Sequence, residues 1–197
     1  MRTKTLLAVV ALAFCLLVAA PTFAQNLITN GSFETGDFSG WTTSGNWDGN
    51  TAIETGAFYD YSGAQDGNFY SVWGAVGSDA SISQTLTTVA GAQYTISFWF
   101  ASVGDNPSDF SVSWDGTQLL SLTNPNTGSN WTQYTFQATG TGSDTLTFTG
   151  RDDPAWMALD NISVTENQPT VPEPSSFLLL GTGVLGLGGF VRRKMGR

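Results

Sequence analysis

The stretch Ala92 to Ala101 alternates apolar and polar positions with a period of two. On an extended strand this places Tyr94, Ile96, Phe98 and Phe100 on one face and Thr95, Ser97 and Trp99 on the other. Similar alternation recurs in Ser81 to Val89, Phe110 to Trp114, Gln133 to Ala138, Thr145 to Thr149 and Asn161 to Thr165. Clusters that favour turns separate these runs: Gly104-Asp-Asn-Pro107, Asp115-Gly116, Asn124 to Gly128 and Gly140 to Ser143. No sustained helical period appears between residues 25 and 165. Short strands with turn signals between them predict an all-β domain, an antiparallel β-sandwich.

The two ends are patterned differently. Arg2 and Lys4 precede the apolar run Leu6 to Ala20, and Thr22-Phe23-Ala24 supplies a signal peptidase site, so residues 1–24 read as a signal peptide and Gln25 as the mature start. The apolar run is short for a permanent anchor. At the other end the seventeen residues Ser175 to Val191 are uncharged and rich in Leu, Gly, Val and Phe, the lower length limit of a transmembrane helix. Arg192, Arg193 and Lys194 follow as the basic stop, and both basic ends face the cytoplasm if the segment between them is translocated. The chain therefore divides into a signal peptide (1–24), a β-sandwich domain (25–165), a linker with a Pro-Glu-Pro motif (166–174), a membrane helix (175–191) and a basic cytoplasmic tail (192–197).

The tail has a further feature. Val171-Pro172-Glu173-Pro174, the Gly-rich apolar span and Arg192-Arg193-Lys194 stand in the order of the PEP-CTERM sorting signal of Gram-negative bacteria, and the tail resembles it. The resemblance implies recognition by an exosortase near the motif, cleavage, and release to a polysaccharide-rich outer surface; an anchor that is never processed is the alternative. Gly181-x-Gly183-x-x-Gly186 has the spacing of a dinucleotide fingerprint, but it opens no strand-turn-helix unit and no acidic residue follows it.

Composition removes several chemistries. Histidine is absent and the one cysteine, Cys15, lies in the signal peptide. Ser-His and Cys-His catalysis, disulfides and the usual zinc sites are thereby excluded from the exported part. Of seven basic residues only Arg151 lies between the two signals, whereas all but Glu173 of the sixteen acidic residues lie there. So acidic a domain repels nucleic acid and anionic headgroups, and suits neutral partners or divalent cations.

Two stretches narrow the fold. Asn26-Leu-Ile-Thr-Asn-Gly-Ser-Phe-Glu34, with Gly40-Trp41 after it, and Ala158-Leu-Asp-Asn-Ile-Ser-Val164 together resemble the opening and closing strands of the galactose-binding-like jelly roll found in many carbohydrate-binding modules. Gln84, Gly91 to Phe98 and Trp131 fit the same layout. The resemblance implies that the two stretches lie side by side, and that Glu34 and Asp160 hold a structural calcium ion with Asp66 as a weaker candidate ligand. Calcium is a hard cation that takes oxygen ligands, and Asp160 shares strand parity with Ile162 and Val164, which predicts an inward-pointing carboxylate. The alternative is that these carboxylates accept hydrogen bonds at a sheet end.

Sugar rings stack on aromatic faces and their hydroxyls seek Asn, Gln, Asp and Ser. Trp99 is the leading candidate because the parity of Phe98 and Phe100 directs it outward, with Trp47, Tyr59, Tyr61 and Trp73 secondary and Trp114 assigned to the core. Catalysis by two carboxylates needs no histidine, but Asp152 and Asp153 are adjacent on an extended chain and point apart, poor geometry for an acid and base pair. The sequence thus predicts an exported, non-catalytic β-sandwich associated with extracellular polysaccharide. A structural or adhesive matrix protein without a ligand site is the alternative, with a glycoside hydrolase a distant third.

Overall fold

Residues 25–47 and 51–167 are described by a computed structural model. The signal peptide, Val171 to Pro174, the 175–191 span and Arg192 to Lys194 lie outside the described residues. Among the described residues ten strands form and no helix does. β1 (Thr42–Gly45), β4 (Ala80–Thr87), β9 (Ser143–Asp152), β6 (Ser108–Trp114) and β7 (Thr117–Thr123) make one antiparallel sheet, in the order β1-β4-β9-β6-β7. β2 (Thr51–Thr55), β3 (Phe69–Trp73), β10 (Met157–Glu166), β5 (Gln93–Ser102) and β8 (Thr132–Thr139) make the other, in the order β2-β3-β10-β5-β8.

The alternating runs became β4, β5, β6, β8, β9 and β10; every second side chain is buried along most of β4, β5, β6 and β9, β10 alternates only after Asp160, and in β8 the alternate positions Tyr134 and Phe136 are half-buried and Ala138 buried. Asp115-Gly116 closes the β6–β7 hairpin with both residues at positive φ, 48° and 73°, the backbone that a tight hairpin turn demands and that Asp-Gly supplies at low cost. Between the sheets the core is aromatic. Phe100 stacks on Phe110 with ring centres 4.3 Å apart, and Phe98 meets Phe148 edge-on at 5.1 Å.

β3 departs from simple alternation because both of its faces are covered. Ser71 and Trp73 face the sandwich interior, paired with Leu159 and Met157, while Tyr70 and Val72 join Tyr61, Ala101 and Ala158 in a second buried cluster. Phe58, Ala64, Trp131 and Trp156 pack on that cluster, so the loop after β2 lies over one end of the outer face of the β2-β3-β10-β5-β8 sheet. The outer face of the other sheet carries Ser81, Ser83, Thr85, Thr145, Thr147, Thr149, Ser111 and Ser113, and no aromatic side chain.

The opening stretch lies beside β10, although as an irregular segment tied by one bridge, Asn26 to Thr165, rather than as a strand. The Leu27 amide donates to the Val164 carbonyl at 2.8 Å and the Ile162 amide to the Gly31 carbonyl at 3.0 Å. Gln84 clamps the segment from the other sheet, accepting from the Thr29 amide at 2.8 Å and donating to the Thr29 carbonyl at 3.0 Å. Gly31 is required here because an added Cβ would lie 2.1 Å from the Ile162 carbonyl oxygen.

Candidate functional site

Trp99 lies between the fully buried Phe98 and Phe100 and is itself half-buried, facing outward. Directly opposite residues on paired strands share a face, so the register assembles a grid around it. Gln133, Trp99 and Asp160 form one row, Thr135, Ser97 and Ser163 the next, and Gln137, Thr95 and Thr165 the third. With strands about 4.8 Å apart and a rise of about 3.3 Å per residue, the grid measures roughly 10 Å by 13 Å.

Its polar groups are ordered by one another. The Ser97 and Ser163 hydroxyls lie 2.9 Å apart. Gln137 Nε2 donates to Thr95 Oγ1 at 2.9 Å, Thr95 Oγ1 to Asn167 Oδ1 at 2.6 Å, and Asn167 Nδ2 to Gln137 Oε1 at 2.6 Å. An aromatic ring thus borders a floor of fixed hydroxyls and amides. Gln133, Thr135, Gln137 and Ser163 were not singled out from sequence. Alternation in Gln133 to Ala138 does put the first three on one face, but only the strand register shows that this face is Trp99's.

The other aromatic candidates separate. Trp73 is fully buried in the main core, and Tyr61 is 2 % exposed with its hydroxyl donating to the Trp156 carbonyl. Neither can present a ring to a ligand, which corrects the expectation for both. Trp47 is half-buried, packed edge-on against Phe38 at 4.9 Å, and its Nε1 donates to the Ser44 carbonyl at 2.6 Å. Tyr59 is exposed at 56 % on the loop after β2. Trp114 is core, as its parity implied. A shallow cavity of about 280 Å³ lies near it, between the β7 and β8 edges, lined by Asp115, Leu119, Gln137 and Thr139. The buried Trp114 offers it little ring surface.

Glu34, Asp66 and Asp160 all engage the 65–69 segment or its neighbours. Glu34 Oε1 accepts from the Asn68 and Phe69 amides at 2.7 and 2.8 Å, and these bonds hold its carboxyl below the ordinary range. Asp66 accepts from the Ser32 hydroxyl at 2.8 Å. Asp160 is fully buried, but not between the sheets. A bulge separates Asp160, opposite Trp99, from Ser163, opposite Ser97, and Asn161 sits there at φ 47°. Three residues of β10 thereby match two of β5, which reverses the parity and turns Asp160 to the outer face. The Gln65 and Asp66 amides cap its Oδ2 at 2.8 and 2.9 Å, and the Asn161 amide donates to Oδ1 at 2.6 Å. Burial nonetheless pushes Asp160 up to about 6.

This arrangement does not fit the calcium ion expected from the resemblance. Calcium would need the oxygens that N–H and O–H donors now occupy. The carboxylates instead clasp the segment that leads into β3.

No individually curated protein matches the chain in sequence. Among solved structures, TmCBM61, determined in complex with beta-1,4-galactotriose, superposes with a TM-score of 0.58 at 19% identity, covering 73% of this chain and 100% of its own. The CBM22-1 xylan-binding domain of Xyn10C from Paenibacillus barcinonensis gives 0.54 at 20% identity, over 77% and 100% of the two chains. The enzymatically active domain of tailspike protein 4 from bacteriophage CBA120 gives 0.53 at 19% identity over 72% of this chain, which spans only 21% of that larger protein. These likenesses show the β-sandwich fold of carbohydrate-binding modules. The PEP-CTERM protein-sorting motif matches residues 170–194, which implies export and sorting at a membrane. The family described as protein of unknown function (DUF642) matches residues 26–172, so the chain is a member of the DUF642 family that ends in a PEP-CTERM sorting motif.

Proposed function

We propose that this protein is a non-catalytic surface module that binds extracellular polysaccharide on the outer face of the β2-β3-β10-β5-β8 sheet. The observation that carries the reading is Trp99, an outward indole at the border of a floor in which Ser97, Ser163, Thr95 and Gln137 are held by hydrogen bonds. A pyranose presents an apolar C–H face and a rim of hydroxyls, and this surface offers a partner for each. The hydroxyl-lined face of the other sheet lacks the aromatic half of that pairing. The fold shared with carbohydrate-binding modules supports the reading, and so acidic a domain favours a neutral sugar polymer over an anion.

The sorting motif sets the route. Signal peptidase removes residues 1–24, the 175–191 span holds the chain in the membrane, and an exosortase cuts near Pro172-Glu173-Pro174 to release the domain to the cell surface or matrix. Affinity electrophoresis of the purified protein through gels containing β-1,4-galactan, xylan or the producing cell's own exopolysaccharide tests the binding. Retardation by at least one polymer is expected, with Trp99→Ala weakening it at least about tenfold, equivalent to about 1.4 kcal/mol. Equal mobility in every gel, or retardation indifferent to Trp99→Ala, favours a matrix protein without a sugar site on this face.

A further inference from the structure

Asp152 is the last residue of β9, in the inward parity of Phe148 and Gly150, and stands opposite Ser108 of β6. It is wholly buried, and neither carboxylate oxygen has a hydrogen-bond partner. Among the described residues no other carboxylate is left this way. An ionised carboxylate without a partner is among the most costly groups to bury, and protonation only substitutes an O–H that also lacks an acceptor.

The surroundings make the deficit worse. Burial, then the nearby charges of Asp105 and Asp153, push Asp152 up to about 7. Arg151, the one basic residue among those described, is directed elsewhere: its Nε reaches Asp109 at 3.1 Å, and its Nη1 lies 3.8 Å from Asp153. Two loops, 104–108 and 152–156, meet here. Pro107 and Pro154 carry no amide N–H, while the Asp105 carbonyl accepts from the Ser108 hydroxyl at 2.7 Å and the Pro107 carbonyl from the Asp153 amide at 3.0 Å. The end of the sandwich therefore sets negative charge beside a buried carboxylate that lacks a positive partner.

We propose that Asp152 holds an oxygen-seeking divalent cation, calcium by its ligand chemistry, where the 104–108 and 152–156 loops meet, with Asp105 as the second carboxylate. Flexible, carbonyl-rich coordination suits calcium better than magnesium, which demands a near-ideal octahedron. No third carboxylate converges on the position among the described residues, so main-chain carbonyls and water complete the shell. Two carboxylates and a non-dedicated loop place the affinity in the range of extracellular modules, roughly 0.1 to 1 mM. The site is distinct from the Glu34 and Asp160 clasp and independent of any sugar.

The test is calorimetric titration of calcium into the purified full chain in mild detergent, after EDTA treatment, with terbium luminescence sensitised by Tyr61 and Trp156 as a second readout. Saturable binding is expected, about tenfold or more weaker in Asp152→Asn, a few-fold weaker in Asp105→Asn and unchanged in Asp160→Asn. In EDTA, Asp152→Asn should also melt above the wild type, because it removes an unpaired buried charge. Absence of saturation below about 10 mM overturns the proposal, as does binding insensitive to both Asp152→Asn and Asp105→Asn. Should Asp152→Asn fail to fold, Asp105→Asn and the wild-type titration decide it alone.

Discussion

Among the described residues three carboxylates lie wholly inside the fold, and each meets its burial differently. Asp144 accepts from the Thr88 and Thr141 hydroxyls and the Thr141 amide, which outweigh burial and hold it below the ordinary range. Asp160 has three amides and is still pushed up to about 6, and Asp152 has no donor and reaches about 7. For a raised carboxyl the folded state holds its proton more tightly than the unfolded chain, so stability is lost as pH rises from about 4 through the folded value. For Asp144 and Glu34, whose values are depressed, stability is present above about 4 and lost below it. Metal-free protein should therefore be most stable near pH 4 to 5, and its melting temperature should fall between pH 5 and 8. Asp152→Asn should flatten the upper part of that fall. A melting temperature that is level or rising from pH 5 to 8 in EDTA contradicts this assignment.

At the scale of elements, the controlling feature is the segment from the end of β2 to the start of β3. It covers Tyr70, Val72, Ala101 and Ala158, and it is fastened at Glu34, Asp160 and Ser32. Gly67 is its tightest point, at φ 68° with an added Cβ only 2.4 Å from the Glu34 carboxylate. Gly67→Ala should cost about 1 to 3 kcal/mol, readable in urea unfolding, and should speed proteolysis within residues 56–66 before the rest of the domain. Unchanged stability would mean that the clasp is not what holds the cover. This cover also marks where the sequence ceased to be legible. Alternation correctly separated Trp99 from Phe98 and Phe100, because an uncovered strand has one wet face. Trp73 and Tyr61, placed among the ligand candidates as aromatics in or near Gly-rich loops, are core instead because β3 is dry on both faces and the loop carrying Tyr61 packs on it. Alternation inverted Asp160 because a bulge changes parity without a local signature beyond Asn161. β1, β2 and β7 offered too few alternating residues to be marked at all, whereas Asp115-Gly116 disclosed a turn whose backbone requirement is purely local.

On the scale of the whole molecule, charge and surface pattern point one way. The chain carries a net charge of −9, and its basic residues lie outside the domain except Arg151, which three carboxylates surround. Such a body steers away from anionic polymers and leaves its hydroxyl-rich sheet faces to neutral ones. Of those faces only one combines hydroxyls and amides with an outward tryptophan. Amide and side-chain chemical-shift mapping, with the polysaccharide fragment that most retards the protein in affinity gels titrated into labelled protein, tests this placement most directly. Perturbations confined to Ser97, the Trp99 indole, Gln133, Thr135, Gln137 and Ser163 are the expected result. Perturbations on the Ser and Thr face of the β1-β4-β9-β6-β7 sheet or at the Trp114 cavity, or none at saturating fragment, would contradict it.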